Sequence, residues 1–412
     1  MRIGIDVGGT HTDAVLIEGH QVLASTKRLT SADVRSGVLE ALDSILAHGV
    51  QTDGAIEAVM IGTTQFTNAV IERRSLSATA IIRAGLPSGA LIPPMLGWPE
   101  DIADAVGRHS YMIEGGQTYD GFPIGTLDLH AVDAVIDELI EKGIEGVAIS
   151  SVFSPSDPAQ EKQIGERVRA RMPTARITLS HRIGGMGLLE RENAAILNTA
   201  LLPLAESVVD AFGSALRERA INCPYYISQN DGTLMSAEFA AEFPALTFAS
   251  GPTNSLRGAS LLTQLDDAVV VDIGGTTSDI GVLQGGFPRQ SNVAIEVGGV
   301  RSNFRMPDIV AIGLGGGSLV SDGGAVIGPE SVGYRLLTEG RVFGGSTLTS
   351  SDIAVAAGAV AMGDESRVDD LSPEVVERAM ARMHEMIDSG IELMKSSRDP
   401  VPVILVGGGA VL

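Results

Sequence analysis

The most informative segment of this chain lies near its N-terminus and reads Arg2-Ile-Gly-Ile-Asp-Val-Gly-Gly-Thr-His-Thr-Asp-Ala-Val-Leu-Ile17. Large apolar residues alternate with Gly or Asp from residue 3 to residue 7, which indicates a half-buried strand. Gly8-Gly9-Thr10 then predicts a tight turn, and the apolar run at residues 14–17 predicts a returning strand. The segment therefore predicts a β-hairpin with an acid, Asp6, near the end of its first strand.

The same pattern recurs in the second half of the chain, which reads Asp272-Ile-Gly-Gly-Thr-Thr-Ser-Asp279 after an apolar run. Five of its eight positions are identical to Asp6-Val-Gly-Gly-Thr-His-Thr-Asp13, and two more are conservative. The two copies lie too far apart for a solenoid repeat. We infer two related halves, each with one glycine turn on a hairpin.

Elsewhere the apolar spacing alternates between strand and helix periods, which is typical of mixed sheets covered by helices. Strands are predicted at residues 58–61, 78–82, 146–153, 176–180, 225–229 and 401–406. Helices are predicted at residues 32–48, 67–74, 129–142, 191–217, 237–243 and 254–265, with another opening at 154–158. Pro203 predicts that residues 191–217 form two helices or one kinked helix. We place the main boundary before this helix, which gives domains at 1–188 and 189–412.

The two Gly-Gly-Thr turns suit phosphate binding, because backbone N–H groups of small residues can approach phosphate oxygens closely. The acid near the end of each incoming strand, Asp6 or Asp272, is placed to hold Mg²⁺ directly or through its water shell. A tight hairpin also uses such residues without any ligand, so a purely structural role stays open for either turn alone. The chain has no P-loop motif, and no dinucleotide fingerprint follows its first strand.

Three further features remain open on the residues alone. Gly313-Leu-Gly-Gly-Gly-Ser318 is either a substrate loop or a flexible linker. The strand at residues 401–406 runs into Gly407-Gly408-Gly409, which forms either a ligand turn or a simple connection. Asp13 and Asp279 either cap backbone N–H groups or act on substrate.

Composition excludes several classes of function. The formal net charge of −22 repels phosphate backbones and anionic membranes, so we expect neither a nucleic-acid nor a membrane partner. A single cysteine, Cys223, excludes an internal disulfide and is interpreted as a packing residue. The histidines are scattered without ligand spacing, which argues against a transition-metal site. The N-terminus lacks the apolar core of a signal peptide, and we expect no apolar run long enough to cross a bilayer, which predicts a cytoplasmic protein.

The residues also carry a resemblance to a known family. The opening hairpin resembles that of the hydantoinase/oxoprolinase family, within the superfamily of actin, heat-shock chaperones and sugar kinases. Other segments are similar to the same family and occur in family order: Ile61-Gly-Thr-Thr-Gln-Phe-Thr-Asn-Ala-Val-Ile-Glu-Arg-Arg74, Leu188-Leu-Glu-Arg-Glu-Asn193, Ser228-Gln-Asn-Asp-Gly232, Ala249-Ser-Gly-Pro252, Val271-Asp-Ile-Gly-Gly-Thr-Thr-Ser-Asp279 and Ile312-Gly-Leu-Gly-Gly-Gly-Ser318. The resemblance spans the chain almost from end to end.

The resemblance implies an α/β fold with two lobes, the actin-like ATPase (ribonuclease H-like) fold, in which mixed sheets flanked by helices enclose a central nucleotide cleft. It implies catalytic, Mg²⁺-holding roles for Asp6 and Asp272. The residues expected to bind ATP are Gly8, Gly9, Thr10, His11, Thr12, Gly274, Gly275, Thr276, Thr277, Gly407, Gly408 and Gly409. Weaker candidates for substrate contacts are Thr63, Thr64, Asn68, Gly315, Gly316 and Gly317.

Family members use ATP to phosphorylate an unreactive oxygen and so hydrolyse cyclic amides, such as 5-oxoproline or hydantoins, or carboxylate ketones. The resemblance therefore implies an ATP- and Mg²⁺-dependent cyclic-amide hydrolase, expected to be oligomeric and to work with a second subunit. A small-molecule kinase and a non-catalytic ATP-binding subunit remain alternatives. The chain departs from the family at His11, where Phe is usual, and at residues 334–345, which replace a Pro/Cys/Gly-rich stretch. Because residue 412 follows Gly409 so closely, we expect the natural protein to continue.

Overall fold

A computed structural model describes residues 1–8, 11–19, 21–29, 34–47 and 56–412 of the chain. The strands in these ranges are β1 (Arg2–Val7), β2 (His11–Glu18), β3 (Gln21–Leu29), β4 (Ala58–Thr63), β5 (Thr79–Leu86), β6 (His109–Glu114), β7 (Gly146–Ser151), β8 (Arg176–Leu179), β9 (Tyr225–Ser228), β10 (Leu234–Ser236), β11 (Ala268–Ile273), β12 (Ser278–Gln284), β13 (Phe287–Pro288), β14 (Ile295–Val297), β15 (Val300–Ser302), β16 (Ile309–Ile312), β17 (Ser318–Ser321), β18 (Val326–Ser331) and β19 (Val403–Val406). The α-helices there are α1 (Val34–Leu46), α2 (Gln65–Glu72), α3 (Glu100–Val106), α4 (Leu129–Lys142), α5 (Ala159–Arg171), α6 (Leu188–Glu218), α7 (Ala237–Glu242), α8 (Ser250–Thr263), α9 (Leu336–Glu339), α10 (Ser350–Ala356) and α11 (Pro373–Met394).

The chain divides into two compact units. Unit 1 consists of Met1–Gly251 and Ser291–Met306, and unit 2 consists of Pro252–Gln290 and Pro307–Leu412. The boundary predicted between residues 188 and 189 lies inside unit 1, at the start of α6. This difference has a physical reason, because α6 packs on β5, β7 and β8, and Ile81 of β5 and Ala148 of β7 belong to the same buried cluster as α6.

Unit 1 contains two main sheets. The first has the order β10-β9-β4-β1-β2-β3, in which β1 pairs antiparallel with β2 and parallel with β4. The hairpin predicted from the N-terminal segment is therefore confirmed, and β3, which was not predicted, extends it by pairing with β2. The second sheet, β6-β5-β7-β8, is parallel throughout. Its strand β7 is buried along its whole length, as expected of a parallel strand covered on both faces.

Helix α6 is the central helix of unit 1. It is continuous over 31 residues with Pro203 in its interior, so the predicted helix at 191–217 is one helix rather than two. By length and composition α6 would be long and apolar enough to span a membrane, which corrects the expectation that no such run exists in the part of the chain described here. A buried core helix passes the same test, and 67% of the relevant window of α6 is buried inside the protein.

A buried ion pair joins α6 to β5. Both the Arg83 and the Glu192 side chains are fully buried. Arg83 Nε donates to Glu192 Oε2 at 2.7 Å, and Ser150 Oγ donates to the same oxygen at 2.6 Å. Arg83 also donates to the backbone oxygen of Ile92. These partners compensate the cost of burying both charges, so Glu192 acts as a structural group of unit 1.

Unit 2 is built on a sheet with the order β13-β12-β11-β19, to which β16 adds by pairing with β12. Strand β11 pairs antiparallel with β12 and parallel with β19, which confirms the second predicted hairpin and the strand predicted before Gly407. Side chains of α10 and α11 pack on this sheet to form the core of the unit.

Several other predictions can be compared with the structure. Helix α4 has the predicted bounds, and Asp128 caps it by accepting hydrogen bonds from the backbone N–H groups of His130 and Ala131, each at 3.0 Å. The helix predicted at 32–48 is α1, and the parts of that prediction at residues 32–33 and 48 lie outside the described residues. The helix predicted to open at 154–158 begins only at Ala159, after Pro158. The family's mixed α/β fold, with several sheets flanked by helices, is confirmed.

Candidate functional site

The first predicted phosphate hairpin joins β1 to β2. Asp6 lies directly opposite Asp13 in this pair, and the backbone N–H of Gly8 donates to His11 O at 3.0 Å. His11 is half-buried where β2 begins, whereas Thr12 is fully buried, so its hydroxyl is shielded from a ligand in solvent. The predicted ATP-binding residues Gly9 and Thr10 lie outside the described residues.

The carboxylate of Asp6 has one oxygen in a buried environment. Its Oδ1 atom is buried and has no hydrogen-bond partner among the described residues. Burial, followed by the charge of Asp13, raises the pKa of Asp6, while Lys27 opposes the shift. Lys27 Nζ donates instead to Asp13 Oδ2, at 3.1 Å. A buried carboxylate oxygen without a partner is a group that a bound divalent cation would satisfy.

The candidate substrate residues of unit 1 lie beside this hairpin. Val7 is opposite Thr63 in the parallel β1–β4 pair, and Thr64 N donates to Val7 O at 3.2 Å. Asn68 Nδ2 donates to Thr64 Oγ1 at 3.3 Å, and Ser250 Oγ donates to Thr63 O at 3.2 Å. The structure therefore brings Thr63, Thr64 and Asn68 together at the start of α2, next to the end of β1.

The second hairpin, in unit 2, repeats the geometry of the first. Asp272 lies directly opposite Asp279, and Gly274 N donates to Thr277 O at 2.9 Å. Gly275, Thr276 and Thr277 are exposed, so the tip of this turn is open to a ligand. The repeat found in the sequence thus extends to the strand register and to the hydrogen bond that closes the turn.

Asp279 of hairpin 2 has a raised pKa. Burial, followed by the charge of Asp272, raises the pKa of Asp279 to about 6. Like charges directly opposite each other in a sheet are destabilising unless a cation or a proton compensates them. A cation or a proton bound by Asp272 and Asp279 would therefore stabilise this pair.

The candidate substrate glycines of unit 2 support the turn of hairpin 2. Gly316 N donates to Gly274 O at 3.0 Å, and Gly317 N donates to Gly275 O at 2.7 Å. A Cβ atom on Gly315 would lie 2.6 Å from the Gly275 carbonyl carbon and from Thr276 N, so only glycine fits there. Residues 315–317 thus form a backbone platform beneath the turn.

Ser351, at the start of α10, holds this platform in place. Its backbone N–H and its hydroxyl both donate to Gly316 O, at 2.9 and 2.8 Å. Sequence reasoning missed Ser351, because nothing in its neighbourhood distinguishes it from an ordinary helix-start serine. Only the fold shows that it contacts a loop 35 residues earlier.

The third glycine cluster also adjoins hairpin 2. In the parallel β11–β19 pair Asp272 is opposite Val406, and Gly409 N donates to Ile273 O at 2.8 Å. Gly407 has a φ of 88°, and a Cβ atom on it would lie 2.5 Å from Asp272 Oδ1. Gly408 faces open space. Unit 2 therefore gathers Asp272, the exposed turn and two glycine segments at one place.

The side chains at the two hairpins restrict which kind of metal ion could bind there. Within the described residues no cluster of three or more His, Cys, Asp or Glu side chains could enclose a metal ion. Mg²⁺ needs fewer protein ligands, because it keeps several waters and takes further oxygens from bound phosphates. The carboxylate pairs of the two hairpins fit that chemistry. Burial raises the pKa of the half-buried Cys223 thiol, which agrees with its interpretation as a packing residue.

The described part of the chain is an α/β protein in which a hairpin with two directly opposed aspartates occurs once in each unit. Residues 2–172 match the hydantoinase/oxoprolinase N-terminal region, and residues 191–408 match the hydantoinase/oxoprolinase family. The chain belongs to the hydantoinase/oxoprolinase family.

Known proteins resemble it at low identity. The chain is 26% identical over 460 residues to caprolactamase subunit alpha of Pseudomonas jessenii, covering 99% of this chain and 65% of that protein. It is 24% identical over 389 residues to the acetophenone carboxylase gamma subunit of Aromatoleum aromaticum, covering 86% of this chain and 53% of that one. The crystal structure of ATP-dependent caprolactamase from Pseudomonas jessenii matches with a TM-score of 0.77 at 24% identity, over 99% of this chain and 65% of that chain. The chain thus spans less than two thirds of the length of these relatives.

Proposed function

We propose that this chain is an ATP- and Mg²⁺-dependent enzyme that hydrolyses a cyclic amide by phosphorylating the amide oxygen. The observation that carries the proposal is the repeated hairpin, in which an Asp pair and a glycine turn recur with the same register in each unit. Membership in the hydantoinase/oxoprolinase family supports it, as does the similarity to a caprolactamase described as ATP-dependent.

The glycine turns would act as phosphate clamps. In hairpin 2 the N–H of Gly274 already closes the turn, so the exposed tip at Gly275, Thr276 and Thr277 supplies the donors for phosphate oxygens. The platform at residues 315–317 holds this tip in one conformation before a ligand arrives, which lowers the entropic cost of binding. In unit 1 the polar groups of Thr64 and Asn68 are placed to orient a ligand beside hairpin 1.

Each hairpin aspartate, Asp6 in unit 1 and Asp272 in unit 2, would hold Mg²⁺ at its own hairpin, directly or through water. Bound Mg²⁺ supplies charge neutralisation of the phosphates, which a chain with a net charge of −22 otherwise repels. Gly407 lies next to Asp272, and because it has no side chain, the space beside the Asp272 carboxylate stays open. The buried Oδ1 atom of Asp6, for which the described ranges offer no hydrogen-bond partner, supports a metal-binding role for that residue.

Phosphorylation makes the otherwise unreactive amide oxygen a group that can leave. The amide oxygen attacks the γ-phosphorus, the bond from that phosphorus to the bridging oxygen breaks, and ADP leaves. Water then adds to the amide carbon, and the ring C–N bond breaks as the nitrogen takes up a proton and leaves as an amine, which gives an acyl phosphate. A second water attacks the acyl carbon, the phosphate leaves with its oxygen, and the carboxylate is formed. Positioning and charge stabilisation supply most of the catalysis in phosphoryl transfer, which suits a site made of backbone donors and carboxylates.

We also propose that the chain works in an oligomer with a second kind of subunit. Two of its relatives are named as the alpha subunit and the gamma subunit of their enzymes, which supports this arrangement. Assays should therefore include the chain alone and the chain with any co-purifying partner.

The experiment measures phosphate release and ring-opened product from purified protein given Mg²⁺, ATP and a panel of ε-caprolactam, 5-oxoproline and hydantoin. We expect lactam-dependent phosphate release with one ring opened for each phosphate. Asp272→Asn should abolish it, and Asp6→Asn should reduce it strongly. Glu385→Gln is the matched control, because Glu385 is an exposed acid on α11 that pairs with Arg382.

The reaction products distinguish the proposed hydrolase from a small-molecule kinase and from a non-catalytic subunit. A stable phosphorylated product would identify a small-molecule kinase, because its phosphate remains on the acceptor. ATP binding without lactam-stimulated hydrolysis, with or without a partner, would identify a non-catalytic subunit. Full activity in Asp272→Asn would contradict the proposed site, because the carboxylate that should hold the metal would then be dispensable.

A further inference from the structure

Unit 1 contains a cavity of about 520 Å³ whose lining includes none of the residues assigned above to ATP or Mg²⁺. Its walls come from three separate segments: residues 181–185 after β8, residues 229–231 after β9, and residues 303–305. The carboxyl ends of parallel strands are a common place for ligand sites in α/β proteins, and this volume is typical of small-molecule sites. Phe239 and Leu246 give the cavity an apolar wall.

A buried carboxylate orients a histidine in this cavity. His181 Nδ1 lies 2.5 Å from Oε2 of Glu161, whose side chain is fully buried. Burial alone would raise the pKa of Glu161, but hydrogen bonds from His181, Ser154 and Ser180 together lower it below its ordinary value. An ionised carboxylate only accepts hydrogen bonds, so Nδ1 carries the hydrogen. In the neutral imidazole with its hydrogen on Nδ1, Nε2, at the opposite edge of the ring, is an acceptor for a ligand in the cavity.

The cavity also contains an arginine whose charge is not neutralised by the fold. Arg305 lines the cavity and is exposed, and its side chain has no ion pair or hydrogen bond with any residue in the described ranges. Arg182, on the same wall, differs because it pairs with Glu242 and lies over the ring of Phe243, 4.6 Å from the centroid. In so acidic a chain, an arginine without a partner in a cavity is a site of local positive potential.

The acidic group in the cavity is already engaged. Asp231 Oδ1 accepts hydrogen bonds from the backbone N–H and the hydroxyl of Thr233, at 3.0 and 2.6 Å. Asn303 is occupied as well, because its Oδ1 accepts from Gly185 N at 3.2 Å and its Nδ2 donates to Gly187 O at 3.3 Å. These bonds fix the walls, and Arg305, His181 and the Gln229 amide, which also lines the cavity, are groups with capacity for a ligand.

We propose that this cavity binds a small molecule bearing both a carboxylate and an N–H donor, with Arg305 receiving the carboxylate and Nε2 of His181 accepting the hydrogen bond. The planar guanidinium suits a carboxylate, because its parallel N–H groups can engage both oxygens. The choice among such ligands rests on the proposed function, which makes the ligand either a cyclic amide that carries a carboxylate or the amino acid formed when its ring opens. Binding here needs neither ATP nor turnover, so the site can be tested apart from the proposed reaction.

The test is calorimetric titration of the full chain, without ATP, with four matched probes. 5-Oxoproline carries both groups, 2-pyrrolidinone lacks the carboxylate, tetrahydrofuran-2-carboxylate lacks the N–H, and glutamate is the ring-opened form. We expect 5-oxoproline or glutamate to bind at least about tenfold more tightly than either probe that lacks one group, since each is missing a charge-assisted or oriented hydrogen bond. Tighter binding of 5-oxoproline assigns the site to the cyclic form, and tighter binding of glutamate assigns it to the opened form.

Single substitutions test which residues of the cavity bind the probes. Arg305→Gln should weaken the preferred probe by about tenfold or more and leave 2-pyrrolidinone unchanged. Arg301→Gln is the matched control, because Arg301 is an exposed arginine of the same segment that pairs with Glu190 outside the cavity. His181→Ala should weaken the preferred probe but not tetrahydrofuran-2-carboxylate. Equal binding of all four probes, no binding of any at millimolar concentration, or equal effects of the two arginine variants would overturn the proposal.

Discussion

Replacing Asp279 by Asn should stabilise unit 2 above pH 6. Asp279 is directly opposite Asp272, and burial together with that charge raises its pKa from 3.8 to about 6. A raised pKa means that the ionised form is less stable in the folded unit than in the unfolded chain. The shift of about 2 units corresponds to a penalty of about 3 kcal/mol once both states are ionised.

The sign of the pH dependence follows from the same shift. Between pH 3.8 and about 6 the folded unit retains the Asp279 proton while the unfolded chain has lost it. The free energy of unfolding of the natural protein should therefore fall as pH rises through this window and then level off. An asparagine side chain does not ionise, so the variant Asp279→Asn should lack this contribution and gain up to about 3 kcal/mol at pH 8.

The assay combines scanning calorimetry of the full chain at several pH values with hydrogen exchange of β11 and β12 peptides, which assigns the change to unit 2. Asp13→Asn is the matched control, since Asp13 occupies the same register position in hairpin 1 but pairs with Lys27. Mg²⁺ with ATP should narrow the difference between the natural protein and Asp279→Asn, because a bound cation favours the ionised pair. An unchanged or lower stability of Asp279→Asn at pH 8, with the same pH slope, would refute the reasoning.

Three further variants test other parts of the structure. Gly315→Ala should cost about 1–3 kcal/mol and depress ATP-dependent turnover, because its Cβ would meet backbone 2.6 Å away. Gly258→Ala, inside α8 with open space around it, should leave turnover unchanged and raise stability by about 0.5–1 kcal/mol. Arg83→Gln should destabilise unit 1 by about 3–5 kcal/mol in denaturant unfolding, since it leaves Glu192 buried without its partner, and a loss below about 1 kcal/mol would contradict that account. Cys223→Ser should keep full activity, and the thiol should react slowly with iodoacetamide at neutral pH, because burial raises its pKa.

Local elements were the most predictable part of the fold. Both hairpins follow from alternating apolar residues around a glycine turn, and α4 follows from its apolar spacing with Asp128 before it and Gly143 after it. The short helix α3 and the strand β6 were missed, because they lie in a segment whose many Pro and Gly residues mask a weak periodic signal. Strand β3 was missed because its outward residues are mostly polar, and only pairing with β2 defines it.

The candidate site could be predicted from the sequence only where its motif is duplicated. The duplicated motif pointed to Asp6 and Asp272, but it did not show that Gly315 lies against the second turn. That contact depends on strand order and loop packing, which leave no trace in residue spacing. Likewise, no sequence pattern links His181 with Arg305, because the fold alone brings segments more than a hundred residues apart to one cavity.

The discontinuous course of unit 1 has a consequence for how the protein is made. Strand β15 packs against α6, yet it belongs to the segment Ser291–Met306, which is synthesised after the first part of unit 2. A nascent chain that ends at Gly251 therefore lacks one covering strand and the wall that carries Arg305. Folding during translation cannot complete the first unit until the ribosome has passed residue 306, and until then the exposed flank of α6 is a surface that chaperones could recognise.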